Sequence, residues 1–343
     1  MVLLSTLSTA AVILYHLTKP TQAIFDPDGQ NLFVYFSQSS GKNASLDDLC
    51  GSDAVDAVII GFLRSFTGTR GYPTVDFGPS NCNDTRSAEE SVAPGLAVCH
   101  ELGQQVKRCQ GMGKKIFLSI GGSTSDTSFE EGSSGRKQAK EAAKSMWNLF
   151  GEGKATPSLR PFGQDVIVDG YDIDHEQGSP RNFDTFISQL KSYSSGASKP
   201  IYFSAAPICT LKDPSISTDT LAFLDFIFIR FYNSAECSLG TPGFSPSLQR
   251  WYQELVPAGH LPFPKVLLGA LSFDNGNTGY VPAEEFGNFI RTAKEPDFMC
   301  LWNAKKFGGV MLWDGPRGLA NAVKPDGENY VTYVKNALEG PSG

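Results

Sequence analysis

The stretch VIVDGYDIDHEQG, residues 166–178, sets four acidic residues behind an apolar run: Asp169, Asp172, Asp174 and Glu176. Side chains alternate faces along a strand, so Asp172, Asp174 and Glu176 share one face. Asp169 and His175 have the other parity. Three carboxylates this close cannot all ionise cheaply, and at least one is expected to hold a proton near neutral pH. A carboxyl kept protonated is what a general acid needs to hand a proton to a leaving oxygen. Glu176 has the longest reach and sits nearest the end of the run, which makes it the candidate acid. Asp174 and Asp172 are then partners that share or shift a proton. The alternative is a solvated acidic turn, but three acids on one face behind a buried run favour chemistry.

Elements must bring these acids to one place. Eight short runs rich in β-branched and aromatic residues recur, at 31–38, 57–63, 115–122, 166–174, 201–206, 226–233, 265–272 and 308–314. Most are continuously apolar, as parallel strands buried on both faces are. Between them, apolar residues three and four apart predict helices over 96–109, 137–150, 183–193, 247–256, 284–293 and 330–338. The helices after the first and fifth strands are expected to be short. This alternation predicts an α/β fold, a single closed (β/α)8 TIM barrel, with an open doubly wound sheet as the alternative. No G-x-G-x-x-G opens a helix after the first strand, so a nucleotide-binding reading has no anchor. In such a barrel the C-terminal strand ends form the active-site floor. That rim gathers SIGG at 119–122, whose glycines let backbone approach a ligand or serve a tight turn. It also gathers Tyr232 and Trp313, whose faces suit the C–H faces of sugar rings.

The chain has 343 residues, 19% charged and 41% hydrophobic, enough for a large core. Its net charge is −7, and no run of Lys and Arg forms the basic stripe of a nucleic-acid binder. Residues 1–23 are expected to be a signal peptide, with Val2 to Leu17 almost all apolar or small and Gln22-Ala23 at the cleavage site. That run is short for a bilayer-spanning helix of about 20 residues. Residues 24–343 are then one domain. In an exported chain, six of the seven cysteines can pair and one is left over. No C-x-x-C occurs, and His16, His100, His175 and His260 lack ligand spacing, so no metal site is expected. Asn43-Ala-Ser and Asn83-Asp-Thr are glycosylation sequons.

With these residues in view, the chain resembles family 18 glycoside hydrolases. DGYDIDHE fits the D-x-x-D-x-D-x-E pattern of that family, and KKIFLSIGGS its S-x-G-G segment. LFVYFSQ, FSAAPIC, FIFIRFYN and GGVMLWD narrow the resemblance to hevamine-like class III chitinases of fungi and plants, over about residues 31 to 338. The resemblance implies endo-acting, retaining cleavage of β-1,4-linked N-acetylglucosamine, in which the substrate's own acetamido oxygen is the nucleophile. It implies Glu176 as general acid and then base, Asp174 orienting the acetamido group, Asp172 supporting Asp174, and Tyr232 bonding the acetamido carbonyl. Trp313 would form the hydrophobic floor, and Gln38, Gly121, Tyr35 and Phe62 would contact substrate. No metal or organic cofactor is implied. The resemblance further implies disulfides Cys50–Cys109, Cys82–Cys99 and Cys209–Cys237, a free Cys300, and cis peptides at Gly61–Phe62 and Trp313–Asp314.

Three positions depart from the pattern. Relatives usually have YWGQ where this chain has Tyr35-Phe36-Ser37-Gln38, an apolar residue at His175, and Gln at Arg230. Arg230 shares a face with Tyr232, so inward it would favour the charged form of its acid neighbours and oppose a general acid. Otherwise it bridges the carboxylates or turns away through a bulge. His175 is expected to pack against the helix layer. The expected protein is a secreted endochitinase, a monomer on chitin or chitooligosaccharides, with no nucleic-acid or membrane partner. The alternatives are a weakly active or inactive chitin-binding or inhibitor-like protein on the same barrel, and a relative that cuts N-glycan cores.

Overall fold

The computed structural model describes residues 24–37, 44–78, 82, 92–255, 263–295, 306–323 and 327–340. Among them, eight parallel strands form the barrel wall. These are β1 (Asn31–Phe36), β2 (Ala57–Ser65), β3 (Lys115–Gly121), β4 (Gly170–Asp174), β5 (Tyr202–Ala205), β6 (Phe226–Arg230), β7 (Lys265–Leu271) and β8 (Phe307–Trp313). Each pairs with the next, and β8 pairs with β1, which closes the cylinder. A two-residue strand, Thr74–Val75, lies antiparallel on the end of β2. Closure leaves no sheet edge to protect.

A helix follows each strand: α1 (Leu46–Gly51), α2 (His100–Gly111), α3 (Gly132–Phe150), α4 (Phe183–Ser194), α5 (Thr218–Leu221), α6 (Phe244–Leu255), α7 (Ala283–Lys294) and α8 (Gly315–Ala320). A further helix, α9 (Tyr330–Glu339), packs on α7 and α8. The helices after β1 and β5 are short, as the sequence predicts. Each begins at a serine cap: Ser45 with a reciprocal Asp48 bond, and Ser217 accepting from the Thr220 amide.

Two strands fall short of their apolar runs by three residues or more. β4 starts at Gly170 rather than 166, because the Val168 amide bonds the Phe150 carbonyl at the end of α3 (3.0 Å). β6 stops at Arg230 rather than 233. The Phe231 amide still donates to Gly269 (3.0 Å), but Asn233 turns left-handed and bonds the Thr278 carbonyl (2.8 Å). Apolar character marks burial, and here burial outlasts the ladder.

The larger core lies between wall and helices. The barrel interior is filled by rings: Phe33 lies 5.5 Å from Phe117, 5.2 Å from Phe226 and 4.8 Å from Phe228, with Phe25 closing the N-terminal end. Packed rings contribute area and edge-to-face contacts. They also plug the cylinder, so ligands reach only its C-terminal mouth. Three disulfides are formed among the described residues, Cys50–Cys109, Cys82–Cys99 and Cys209–Cys237. The Gly61–Phe62 and Trp313–Asp314 peptides are cis. No helix among the described residues is long and apolar enough to cross a membrane. The expected leader 1–23, Gln38, Asn43, Asn83 and Cys300 lie outside the described residues.

Candidate active site

The face assigned from parity is the one that points into the barrel. Asp172 pairs in register with Ser119 of β3 and Ser204 of β5. Both hydroxyls donate to its carboxylate, Ser119 to Oδ2 (2.6 Å) and Ser204 to Oδ1 (2.7 Å). The Tyr35 hydroxyl of β1 donates to Oδ2 as well (2.7 Å). Burial pushes the pKa of Asp172 up, and the three hydroxyls and Arg230 hold back part of that rise.

Asp174 lies one step nearer the mouth and is 4% exposed. Its Oδ1 is 3.3 Å from Arg230 Nη1 and has no hydrogen-bond partner among the described residues. Burial pushes its pKa well above the ordinary carboxylate range. Arg230 pulls against that, while Glu176, Asp172 and Asp213 add to it. Glu176 stands two residues beyond β4 with its side chain 27% exposed, and its Oε2 is 2.5 Å from Arg230 Nη1. Burial, more than crowding by its neighbours, therefore favours the protonated form of Asp174. Of the outcomes open to Arg230, bridging the two carboxylates is the one adopted.

The other parity faces outward. Asp169 pairs with Lys199 (2.8 Å) and accepts from Gln110 (2.7 Å) and the Ile116 amide (2.9 Å). His175 Nδ1 lies 2.8 Å from Thr127 Oγ1, and its ring packs on Phe183 at 4.7 Å. Burial lowers its pKa and keeps it neutral.

Asp174 and Glu176 open into a cleft of about 360 Å³ that Phe62, Arg230, Tyr232 and Trp313 also line. Tyr232 follows β6, and burial keeps its phenol protonated and able to donate. Trp313 ends β8, its ring 5.3 Å from Tyr35 and stacked toward Phe62 at 6.1 Å, which gives the cleft an aromatic floor. Tyr35 and Gly121, both expected at substrate, are not among the residues that line this cleft. Tyr35 is buried against Asp172. Gly121 has φ 127°, and a Cβ there would lie 2.1 Å from the Asp174 carbonyl oxygen. Its missing side chain lets β3 close on β4, and the Gly122 amide then donates to that carbonyl (2.8 Å). Gly122, not Gly121, lines the cleft.

Sequence reasoning missed Ser119, Ser204, Arg64 and Thr124. The two serines had a usable signal, since each stands at the rung of Asp172 on a neighbouring strand. Arg64, which is paired with Asp76 (2.9 Å) and donates to Thr124, had none. Among the described residues no group of His, Cys, Asp and Glu has the arrangement to hold a metal ion.

Comparison with known proteins gives the same direction. The family described as glycosyl hydrolases family 18 matches residues 31–261. The chain is 30% identical to endochitinase 3 of Metarhizium anisopliae over 299 residues, 87% of this chain and 96% of that one. Among solved structures, a chitinase from Ipomoea carnea is similar at a TM-score of 0.70 and 26% identity, over 90% of this chain and 99% of that one. A xylanase and α-amylase inhibitor protein from Scadoxus multiflorus is similar at a TM-score of 0.64 and 27% identity, over 92% and 100%.

Proposed function

This chain belongs to glycosyl hydrolase family 18, and on that premise we propose that it is an endochitinase, cleaving β-1,4-linked N-acetylglucosamine with retention. The observation that carries the reading is the opening of Asp174 and Glu176 into one cleft beside Tyr232 and over Trp313. Glu176 protonates the glycosidic oxygen as that bond breaks. The acetamido oxygen attacks the anomeric carbon and forms an oxazolinium ring. Asp174 Oδ1, without a hydrogen-bond partner among the described residues, suits the acetamido N–H. Such a donor favours the Asp174 carboxylate over its protonated form. Tyr232 donates to the acetamido oxygen. Glu176 then takes a proton from water, which opens the ring from the face the leaving group left.

Three disulfides support an oxidising compartment, in keeping with the leader reading and a secreted, monomeric enzyme acting on chitin. A second reading, chitin binding without turnover, is supported by one observation: Arg230 occupies both carboxylates. The full chain incubated with chitin oligomers distinguishes the two. Shortened products are expected, and Glu176→Gln should lower turnover by about 10²- to 10⁴-fold while oligomer binding persists. Cleavage that survives this change would remove Glu176 as the acid. Binding without products at any pH would favour the second reading.

A further inference from the structure

The reaction as described leaves Arg230 without a role. Its register in β6 continues Phe226 and Phe228, whose rings fill the interior, so its side chain enters the barrel. It is 7% exposed, and its Nε has no hydrogen-bond partner among the described residues. Burial works against its charge, but Asp174 and Glu176 outweigh burial and keep it a cation. A buried cation of this kind persists only where carboxylates compensate it. The charged and titratable groups that face it are Asp172, Asp174 and Glu176 from the β4 side, with Tyr35 of β1 behind Asp172. Tyr232 follows Arg230 itself, and Asp213 lies in the loop after β5. Arg64, on the cleft wall, is held by Asp76 at 2.9 Å, so its charge is already matched.

The contact is asymmetric. Nη1 is 2.5 Å from Glu176 Oε2 and 3.3 Å from Asp174 Oδ1. Resting on the chitinase reading above, we propose that Arg230 is a positioning residue. It clamps Glu176 through Oε2, leaves the other oxygen for the glycosidic bond, and confines turnover to lower pH than a neutral residue at that position would. The clamp follows from geometry, because a carboxylate on a two-carbon stem otherwise samples several rotamers at the mouth. The pH window follows from charge. The acid works only while the Asp174–Glu176 pair holds its proton, and a cation in contact with both makes that proton harder to keep as pH rises. Removing the cation therefore moves the alkaline limb of the rate profile upward.

The test measures kcat and KM on chitin oligomers across the pH range for the full wild-type chain, Arg230→Gln and Arg230→Lys. For Arg230→Gln the alkaline limb of kcat/KM is expected to move up by about one pH unit or more. Arg230→Lys should hold the limb near its wild-type position, because the charge remains. Its kcat should still fall by about tenfold with KM nearly unchanged, because the lysine stem is one bond shorter and its flexible ammonium does not hold Glu176 where Nη1 does. An unmoved limb in Arg230→Gln, with wild type active, would overturn the proposal and leave the chitinase reading intact. If the glutamine variant does not fold, the lysine variant decides, and a wild-type kcat there overturns the clamp. A wild-type chain without turnover at any pH defeats the chitinase reading itself, and this proposal with it.

Discussion

At the scale of single residues, the buried carboxylates set function against stability. Burial raises the pKa of Asp174 in the folded chain, so the folded state holds that proton more tightly than the unfolded state does. The resulting stability is fully present below the unfolded pKa of about 3.9 and is lost as pH rises through the raised folded value. Asp174→Asn, which cannot ionise, should therefore be more stable than wild type near neutral pH, by on the order of 1 kcal/mol. That advantage should vanish in acid, and turnover should fall at every pH. Thermal unfolding of both proteins at several pH values checks this, and a gap that does not change with pH would contradict it. Asp172 is different, because three hydroxyls satisfy it. Ser204→Ala leaves Oδ1 without its donor and should cost about 1–3 kcal/mol of stability, with a fall in kcat. Unchanged denaturant midpoint and kcat would mean that water replaces the serine.

At the scale of elements, the site depends on how closely β3 and β4 approach at their C-terminal ends. Gly121 allows that approach, and its φ of 127° lies where L side chains are strained. Gly121→Ala should destabilise the chain by about 1–3 kcal/mol and abolish most turnover, because the Asp174 backbone must shift. Melting temperature and kcat test this together, and a wild-type value for both would show that β3 relaxes without moving Asp174. Parity along β4 was legible from residue types alone, because a strand has only two faces and one was apolar. The outward bonding of His175 to Thr127 follows from the same parity. The strand ends were not legible in this way. The Val168 amide turns to α3, and Asn233 turns the chain after β6, although Val168 and Phe231 are as apolar as the strand residues beside them.

At the scale of the whole molecule, the three disulfides lie among the helices and loops around the wall and enclose separations of 59, 28 and 17 residues. Loop-closure entropy ranks their removal in that order, from about 4 kcal/mol for Cys50–Cys109 to about 3 kcal/mol for Cys82–Cys99. Paired serine replacements followed by denaturant unfolding give the order, and a reversed ranking would point to native contacts rather than chain entropy. The barrel was legible in the chain, because eight buried apolar runs alternating with amphipathic helices have few other ways to hide their faces. The acids that share a face were legible too, through the period of two. That Asp174 is buried while Glu176 stands at the mouth, and that Arg230 reaches both, is fixed only in the folded chain. A pKa and an ion pair depend on burial and on distances between strands far apart in sequence, and no local pattern carries those quantities.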